Sequence, residues 1–297
     1  MTRVLEWRQL HRSDLSQLGE LAGRCVRADG GSTEAGTEEF IGRCYLLPGK
    51  QTIGALDSAG RVVAAAAVRA CDGRLDAAGQ VDPAWRGRGL GRRLLDWTIS
   101  QRREARTLRV LTEAVTPAAE RLYARYALVR AYAEDVMRRD LDAPLPALRP
   151  PPGITFVPWS APIVPVFFGA YRASFADASP ADGAAAPPLW TFREWVNWTV
   201  EEAFRPELSL LATTGGGPAG FVTCTPDWIL QVGVAPAWRG QGLGSALIVA
   251  ALRAMRSAGA TECHLEVNVT NPRAATLYRR LDFVTVGRRA RYETQPS

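Results

Sequence analysis

Lysine is nearly missing from this 297-residue chain: Lys50 stands alone against 35 arginines. Histidine occurs twice, at His11 and His264. The five cysteines (Cys25, Cys44, Cys71, Cys224 and Cys263) stand singly, with no C-x-x-C pair. Neither a metal site nor a disulfide framework is expected from that pattern, and reduced thiols are. No apolar run approaches the roughly 20 residues of a membrane-spanning helix; 62–68 and 208–212 are short. The first residues, Met-Thr-Arg-Val-Leu-Glu-Trp, lack the basic-then-apolar layout of a signal peptide. A cytoplasmic protein with no membrane partner is the expectation. A monomer is plausible, because the chain carries its own second domain.

The net charge of +6 is carried by arginine. Such charge suits a phosphate-bearing ligand or a nucleic acid. A genome bias that enriches Ala, Arg, Gly and Pro together explains it equally well. No arginine-rich helix or aromatic platform supports nucleic-acid binding, so no nucleic-acid partner is expected.

What the chain does have is an internal repeat. Val81-Asp-Pro-Ala-Trp-Arg86-Gly87-Arg88-Gly89-Leu90-Gly91 recurs as Val234-Ala-Pro-Ala-Trp-Arg239-Gly240-Gln241-Gly242-Leu243-Gly244, 153 residues later. Downstream, Thr116-Pro-Ala-Ala-Glu-Arg-Leu-Tyr123 answers Asn271-Pro-Arg-Ala-Ala-Thr-Leu-Tyr278. Two matched segments in the same order indicate a duplicated domain. Between the copies, five prolines in 140–153 forbid a helix and favour a stiff connector. The expected organisation is domain 1–143, linker 144–153 and domain 154–297.

In the second copy, strands are expected at 154–157, 208–213, 219–225, 229–234, 263–267 and 283–292. Helices are expected at 165–176, 190–203, 242–257 and 271–281, with a hairpin at Gly215-Gly-Gly217. Phe192, Trp195 and Trp198 recur at helical spacing and read as core. The order of elements describes an α/β domain with a mixed sheet.

Arg239-Gly240-Gln241-Gly242-Leu243-Gly244-Ser245 lies between a strand and a helix. A helix start offers unpaired N–H groups and partial positive charge to an anion, and glycines let the backbone approach it. The spacing excludes a P-loop, which needs Gly-Lys-Ser/Thr, and a dinucleotide fingerprint, which needs G-x-G-x-x-G. Together with the preceding Val-x-Pro, this loop resembles that of the GCN5-related N-acetyltransferase (GNAT) superfamily. Asn271-x-x-Ala274-x-x-Leu277-Tyr278-x-x-Leu281-x-Phe283 is similar to its companion signature, except that Asp282 stands where glycine is usual.

That resemblance implies two tandem GNAT domains, each a mixed, mostly antiparallel sheet flanked by helices. It implies acetyl-CoA as cosubstrate and no metal. The pantetheine amides would pair with the backbone of Val232 and Val234, and Gly233 between them fits a bulge or a close backbone approach. Residues 239–245 and Asn271 would line the cosubstrate site. Val81, Arg86, Gly87, Arg88, Gly89, Leu90, Gly91 and Arg92 would do so in the first copy.

Amine acetylation needs a base for the amine proton, donors for the oxyanion and an acid for the leaving thiolate. Tyr278 is the family's usual acid. Strand alternation buries Cys263, Leu265 and Val267 and turns His264, Glu266 and Asn268 to the other face. The run Leu265-Glu266-Val267-x-x-x-Asn271 resembles that of the ribosomal-protein N-terminal acetyltransferases, which implies that Glu266 is the base; His264 is the outside candidate. In the first copy Tyr123 persists, Thr116 replaces the asparagine and Leu111 replaces the glutamate. Glu113 could serve there only if the register slips. The first copy is therefore expected to hold acetyl-CoA with little turnover, a division of labour similar to that of the mycothiol synthases. The acceptor is expected to be a primary amine of a small molecule. A protein N-terminus or lysine, or a non-catalytic acetyl-CoA sensor, are the alternatives. Asp177, Asp182, Glu194, Glu201 and Glu202 are candidates to bind a cationic amine, with a solvated surface as the competing reading.

Overall fold

The computed structural model describes residues 4–102, 105–176, 189–200 and 203–295. In chain order the elements are β1 (Glu6–Arg8), α1 (Leu15–Asp29), α2 (Glu38–Ile41), β2 (Gln51–Leu56), β3 (Val62–Cys71), β4 (Arg74–Val81), α3 (Leu90–Ser100), β5 (Thr107–Thr112), α4 (Pro117–Arg125) and β6 (Leu128–Asp140). There follow β7 (Thr155–Pro158), α5 (Val164–Phe175), α6 (Phe192–Thr199), β8 (Leu210–Thr214), β9 (Gly217–Cys224), β10 (Ile229–Val234), α7 (Leu243–Ser257), β11 (Glu262–Asn268), α8 (Pro272–Arg280) and β12 (Val284–Thr294). Every helix and strand expected in the second copy is present, with shifted ends.

The chain forms two compact units, but they do not divide at 143–153. The first comprises Met1–Val136 and Val286–Ser297, the second Met137–Thr285. The reason is the destination of the last strand. β12 pairs antiparallel with β5, Ala290 to Glu293 lying opposite Thr112 to Arg109. Further bonds fix it in the first unit: Gly31 N–H donates to the Val286 carbonyl (2.8 Å), and Val115 N–H donates to that of Arg288 (2.8 Å). Arg288 Nε also reaches Asp135 (2.6 Å). Gly287 lies so close to Gly31 that a Cβ there would come within 2.4 Å of the Gly31 nitrogen. Conversely, the end of β6 belongs to the second unit, where Met137 and Leu141 enter the core. Arg139 is buried there, donating to the carbonyls of Leu281 and Pro144 and to Asp282.

In the first unit β1 to β4 pair antiparallel in sequence order. β3, Val62–Cys71, is apolar almost throughout because both its faces are covered. β4 pairs in parallel with β5 only from Arg74 to Ala78. Beyond that point Gly79 to Val81 stay bonded to β3 alone.

In the second unit an antiparallel sheet runs in the order β10-β9-β8-β7. Between β10 and β11 there is a single parallel bridge, Trp228 to His264, among the described residues. α7 packs on one face of the sheet with Leu243, Leu247, Val249 and Leu252 buried. α5 and α6 cover the other through an aromatic cluster of Trp159, Phe167, Tyr171, Trp195 and Phe221. The indole of Trp195 is fully buried there, as core packing predicts, but Trp198 at the end of the same helix is 38% exposed.

Candidate functional site

Each unit has a strand that parts from its parallel neighbour and runs into a glycine loop. The direction of its backbone groups follows from one hydrogen bond. Ala235 N–H donates to Ala219 of β9 (2.9 Å). Groups alternate along a strand, so Gly233 also faces β9, while Val232 and Val234 face the opening toward β11. In the first unit Asp82 N–H donates to Val63 (2.9 Å), which turns Val81 and Gly79 to the corresponding opening.

The bulge in β10 lies between Ile229 and Gln231, two pairs ahead of Gly233. Gly233 itself is a close approach. A Cβ there would come within 2.6 Å of Ser174 Cβ and 2.7 Å of Phe221 Cε1.

In both loops the glycines adopt positive φ: Gly87 +74° and Gly89 +81°, Gly240 +73° and Gly242 +84°. A Cβ on any of these four would meet open space, so the backbone is bare on the side a ligand would approach. Gly242 caps α7, and its carbonyl accepts from Ala246 (3.0 Å). The N–H groups of Leu243, Gly244 and Ser245 precede that first helical bond and are the donors a phosphate would use. Leu243 and Leu90 are themselves buried, so only their backbone is on offer. Gly244 packs inward instead: a Cβ would stand 3.5 Å from Val234 and 3.6 Å from Leu277, tying α7 to β10 and α8. Gly91 is held similarly, 3.3 Å from Leu122.

The arginines that open the loops act on the protein. Arg239 Nε donates to the Val234 carbonyl (3.1 Å) and its Nη2 to that of Ser174 (2.8 Å). Arg86 repeats the first bond to Val81 (3.1 Å) and forks onto Asp29 (2.6 Å to each oxygen). Gln241 donates to Ala237 (2.9 Å) and Arg88 to Ala84 (3.3 Å), again at matching positions. Arg92 lies on the exposed side of α3, 3.8 Å from Asp96. Thus the loop's side chains brace it and its backbone is left to bind.

Asn271 caps α8, accepting from Ala274 N–H (3.1 Å), and Thr116 caps α4 by accepting from Ala119 (3.1 Å). The difference between the copies at this position therefore preserves the cap. Asp282 takes φ +60° and Ala127 +53°, the left-handed ends of the two helices. Arg139 holds Asp282 there at 2.9 Å.

On β11, Cys263, Leu265 and Val267 are buried in the core beneath α7 and α8, and Glu266 and Asn268 are half-buried on the other face. His264 shares that face yet is only 2% exposed, stacked on Trp228 at 5.2 Å. Burial holds its pKa below the usual value, against the pull of Glu262 and Asp227. It is a neutral packing residue at the closed end of the opening. Tyr278 is buried against Phe283, and burial pushes its phenol up to about 12. Such a phenol stays protonated at neutral pH and can donate a proton. In the first unit Tyr123 is similarly buried and its pKa raised. Leu111 and Glu113 line a small cavity of about 120 Å³ with Tyr132, Glu134, Arg289 and Arg291, and Glu113 lies 3.6 Å from Arg289.

Of the candidate amine-binding carboxylates, Glu194 closes a capping box with Thr191 at the start of α6. Asp177, Asp182, Glu201 and Glu202 lie outside the described residues. All five cysteines are free. Among the described residues no helix is long and apolar enough to cross a membrane.

Comparison with known proteins gives this geometry a family. The acetyltransferase (GNAT) family model matches residues 171–283, and a GNAT domain model matches residues 48–126. The mycothiol acetyltransferase of Thermobispora bispora is 35% identical over 217 residues, covering 68% of this chain and 70% of that protein. The crystal structure of a GCN5-related N-acetyltransferase from Sphaerobacter thermophilus is 26% identical, with a TM-score of 0.78 over 97% of this chain and 95% of that one. A tandem GNAT protein of the clavulanic acid biosynthesis pathway shares the fold at a TM-score of 0.66 and 20% identity, over 99% and 100% of the two chains. The chain belongs to the GNAT family, with two of its domains in tandem, and is an acyl-CoA-dependent N-acetyltransferase.

Proposed function

We propose that the second unit transfers an acetyl group from acetyl-CoA to a primary amine of a small molecule. The observation that carries this reading is the opening between β10 and β11. On one wall the backbone groups of Val232 and Val234 are turned away from β9. At its mouth are the bare N–H groups of the glycine loop, and Glu266 stands on the facing strand. These groups fit a long, amide-bearing thioester with a pyrophosphate at one end. Acetyl-CoA supplies the activated acyl group; the protein's own residues supply the rest. Glu266 takes the proton of the ammonium form, whose pKa near 10 leaves little free amine at neutral pH. Tyr278 returns a proton to the leaving thiolate. The similarity to the mycothiol acetyltransferase of Thermobispora bispora supports a small-molecule acceptor.

The first unit keeps the loop geometry and a buried tyrosine but has Leu111 where the second has Glu266. It holds acetyl-CoA without turnover.

The test is thiol release from acetyl-CoA with a panel of small primary amines. Glu266→Gln keeps the side chain's shape and removes its basicity, so kcat should fall by about 10²–10⁴ while acetyl-CoA affinity is held. Its residual rate should rise steadily with pH, as solution supplies the free amine. A wild-type pH–rate profile in that variant would remove Glu266 from the mechanism. Faster turnover with peptide N-termini than with any small amine would move the acceptor to the peptide class.

A further inference from the structure

Gln231 was absent from the sequence-derived site, yet the strand register sets it across the opening from Glu266. β10 and β11 run parallel and meet at Trp228 and His264, whose rings stack on the α5/α6 face of the sheet. Beyond that bridge the strands part, and residues on each are counted from it. Two residues along β11 is Glu266, on the same face as His264 because Leu265 is buried on the other. On β10 the bulge inserts one extra residue between Ile229 and Gln231. Ile229 faces the α7 core, and Leu230 packs against the aromatic cluster of α5 and α6. Gln231 also turns to that cluster, Val232 back to the α7 core, and Gly233 again to Ser174 and Phe221. Without the bulge, residue 231 would face α7. With it, Gln231 is level with Glu266 on the acceptor side of the opening.

The orientation of the Gln231 carboxamide is fixed by its partner. Trp195 Nε1 donates to Gln231 Oε1 at 2.9 Å. An indole nitrogen only donates, so the carboxamide must present oxygen to it and turn its amino group the other way. Trp195 cannot drift. It is fully buried, with Trp159, Phe168 and Tyr171 within 5.7–5.8 Å of its ring. Among the described residues the Gln231 Nε2 has no protein acceptor, and the side chain is half-buried.

We infer that Gln231 binds the acceptor: its amino group donates a hydrogen bond to an oxygen lying a few bonds from the reacting amine, while Glu266 takes the amine proton from the opposite strand. The substrate class is a primary amine with a nearby oxygen acceptor, such as an ether, hydroxyl or carbonyl. Trp195 is the positioning residue, acting through Gln231. This rests on the proposed acetyl transfer in the second unit and adds the acceptor's chemistry to it.

An isosteric pair of amines tests the inference on the full chain. 2-Methoxyethylamine carries an ether oxygen where n-butylamine carries a methylene, and an ether oxygen can only accept. The quantity read is the ratio of kcat/KM for the ether amine to that for butylamine, in which differences of overall stability cancel. Gln231→Leu removes both polar groups. Gln231→Glu keeps an oxygen for the Trp195 indole but removes the N–H donors, separating the donor role from a purely structural one. Both substitutions should lower the ratio by about five- to tenfold, the worth of one neutral hydrogen bond. Trp195→Phe should lower it less, through a raised KM for the ether amine with kcat retained. An unchanged ratio in Gln231→Leu and Gln231→Glu overturns the inference and leaves the acetyl transfer standing. Absence of thiol release with both amines in the wild type overturns the small-amine acceptor itself. Loss of turnover in Glu266→Gln with the ratio intact in its residual activity leaves Gln231 as the binding group.

Discussion

Gly233→Ala is the sharpest perturbation the geometry offers, because a single methyl group reports on how closely α5 rides over β10. The ideal Cβ would lie 2.6 Å from Ser174 Cβ, 2.7 Å from Phe221 Cε1 and 2.8 Å from Ser174 Oγ. Carbon atoms rest about 3.5–4.0 Å apart, so strand and helix must separate by about 1 Å or the Phe221 ring must leave its place. Overpacking of this kind costs about 1–3 kcal/mol, and the shortest contact is to Ser174 Cβ, which is fixed to the helix backbone and cannot rotate away. The upper half of that range is expected. The same displacement moves the Val232 and Val234 backbone, so acetyl-CoA affinity should fall with stability. Ser174→Gly removes two of the three obstructing atoms at a cost of about 0.5 kcal/mol in helix propensity. The double variant should therefore be more stable than the sum of the two changes by about 1–2 kcal/mol. Urea unfolding followed by tryptophan fluorescence measures the cycle. A Gly233→Ala protein as stable as wild type, or a double variant that is merely additive, would refute the close approach and leave Gly233 to be explained by the ligand.

Gly242→Ala meets no protein atom but forces an L-residue to φ +84°, a strain of roughly 1–2 kcal/mol; calorimetry should show a loss of acetyl-CoA affinity beyond that of Gly244→Ala, whose Cβ would make only ordinary contacts, and equal affinities would count against the loop as the anion site. His264 contributes stability through its neutral form: its folded pKa is lowered by burial, so the contribution is present above about pH 6.5 and is lost as pH falls below that value. His264→Phe, which preserves the stack on Trp228, should flatten the fall in melting temperature between pH 7 and pH 5, and an undiminished fall would assign it to other groups.

The duplication, the loop and the order of strands and helices were legible because they depend on local rules. Glycine at two positions of positive φ, proline where a helix must stop and an apolar run such as 62–68 each restrict the backbone by themselves. As candidates, Glu266 and Tyr278 came from spacing and resemblance; their setting was not legible in the sequence. Alternation alone put His264 beside Glu266 as a rival base, but alternation says only which face a residue takes. The ring of Trp228, just ahead of β10, stacks on the buried histidine. Asn271 and Thr116 read as a ligand and its loss, whereas both side chains are taken by the first turn of a helix.

Two features were decided by pairing between distant segments, which no local pattern encodes. A strand expected at 283–292 forms, but its sequence does not say which sheet edge will accept it. Its bonds go to β5, some 180 residues earlier, and the Gly30-Gly31 backbone lies close against Val286 and Gly287. A fragment ending at residue 143 would therefore lack a strand of its own first unit. The bulge before Gln231 is the other case. One inserted residue reverses the face of every side chain after it, and neither its presence nor its place is written in the run Ile229-Leu230-Gln231-Val232. The sequence alone determined that two acyltransferase folds would form and which residues could do chemistry in them. The long-range pairing of β12, the bridge from Trp228 to His264 and the bulge decided where each unit ends and which side chains of β10 face α5 and α6, because backbone hydrogen bonds can be satisfied in several registers and only the packing of both sheet faces selects one.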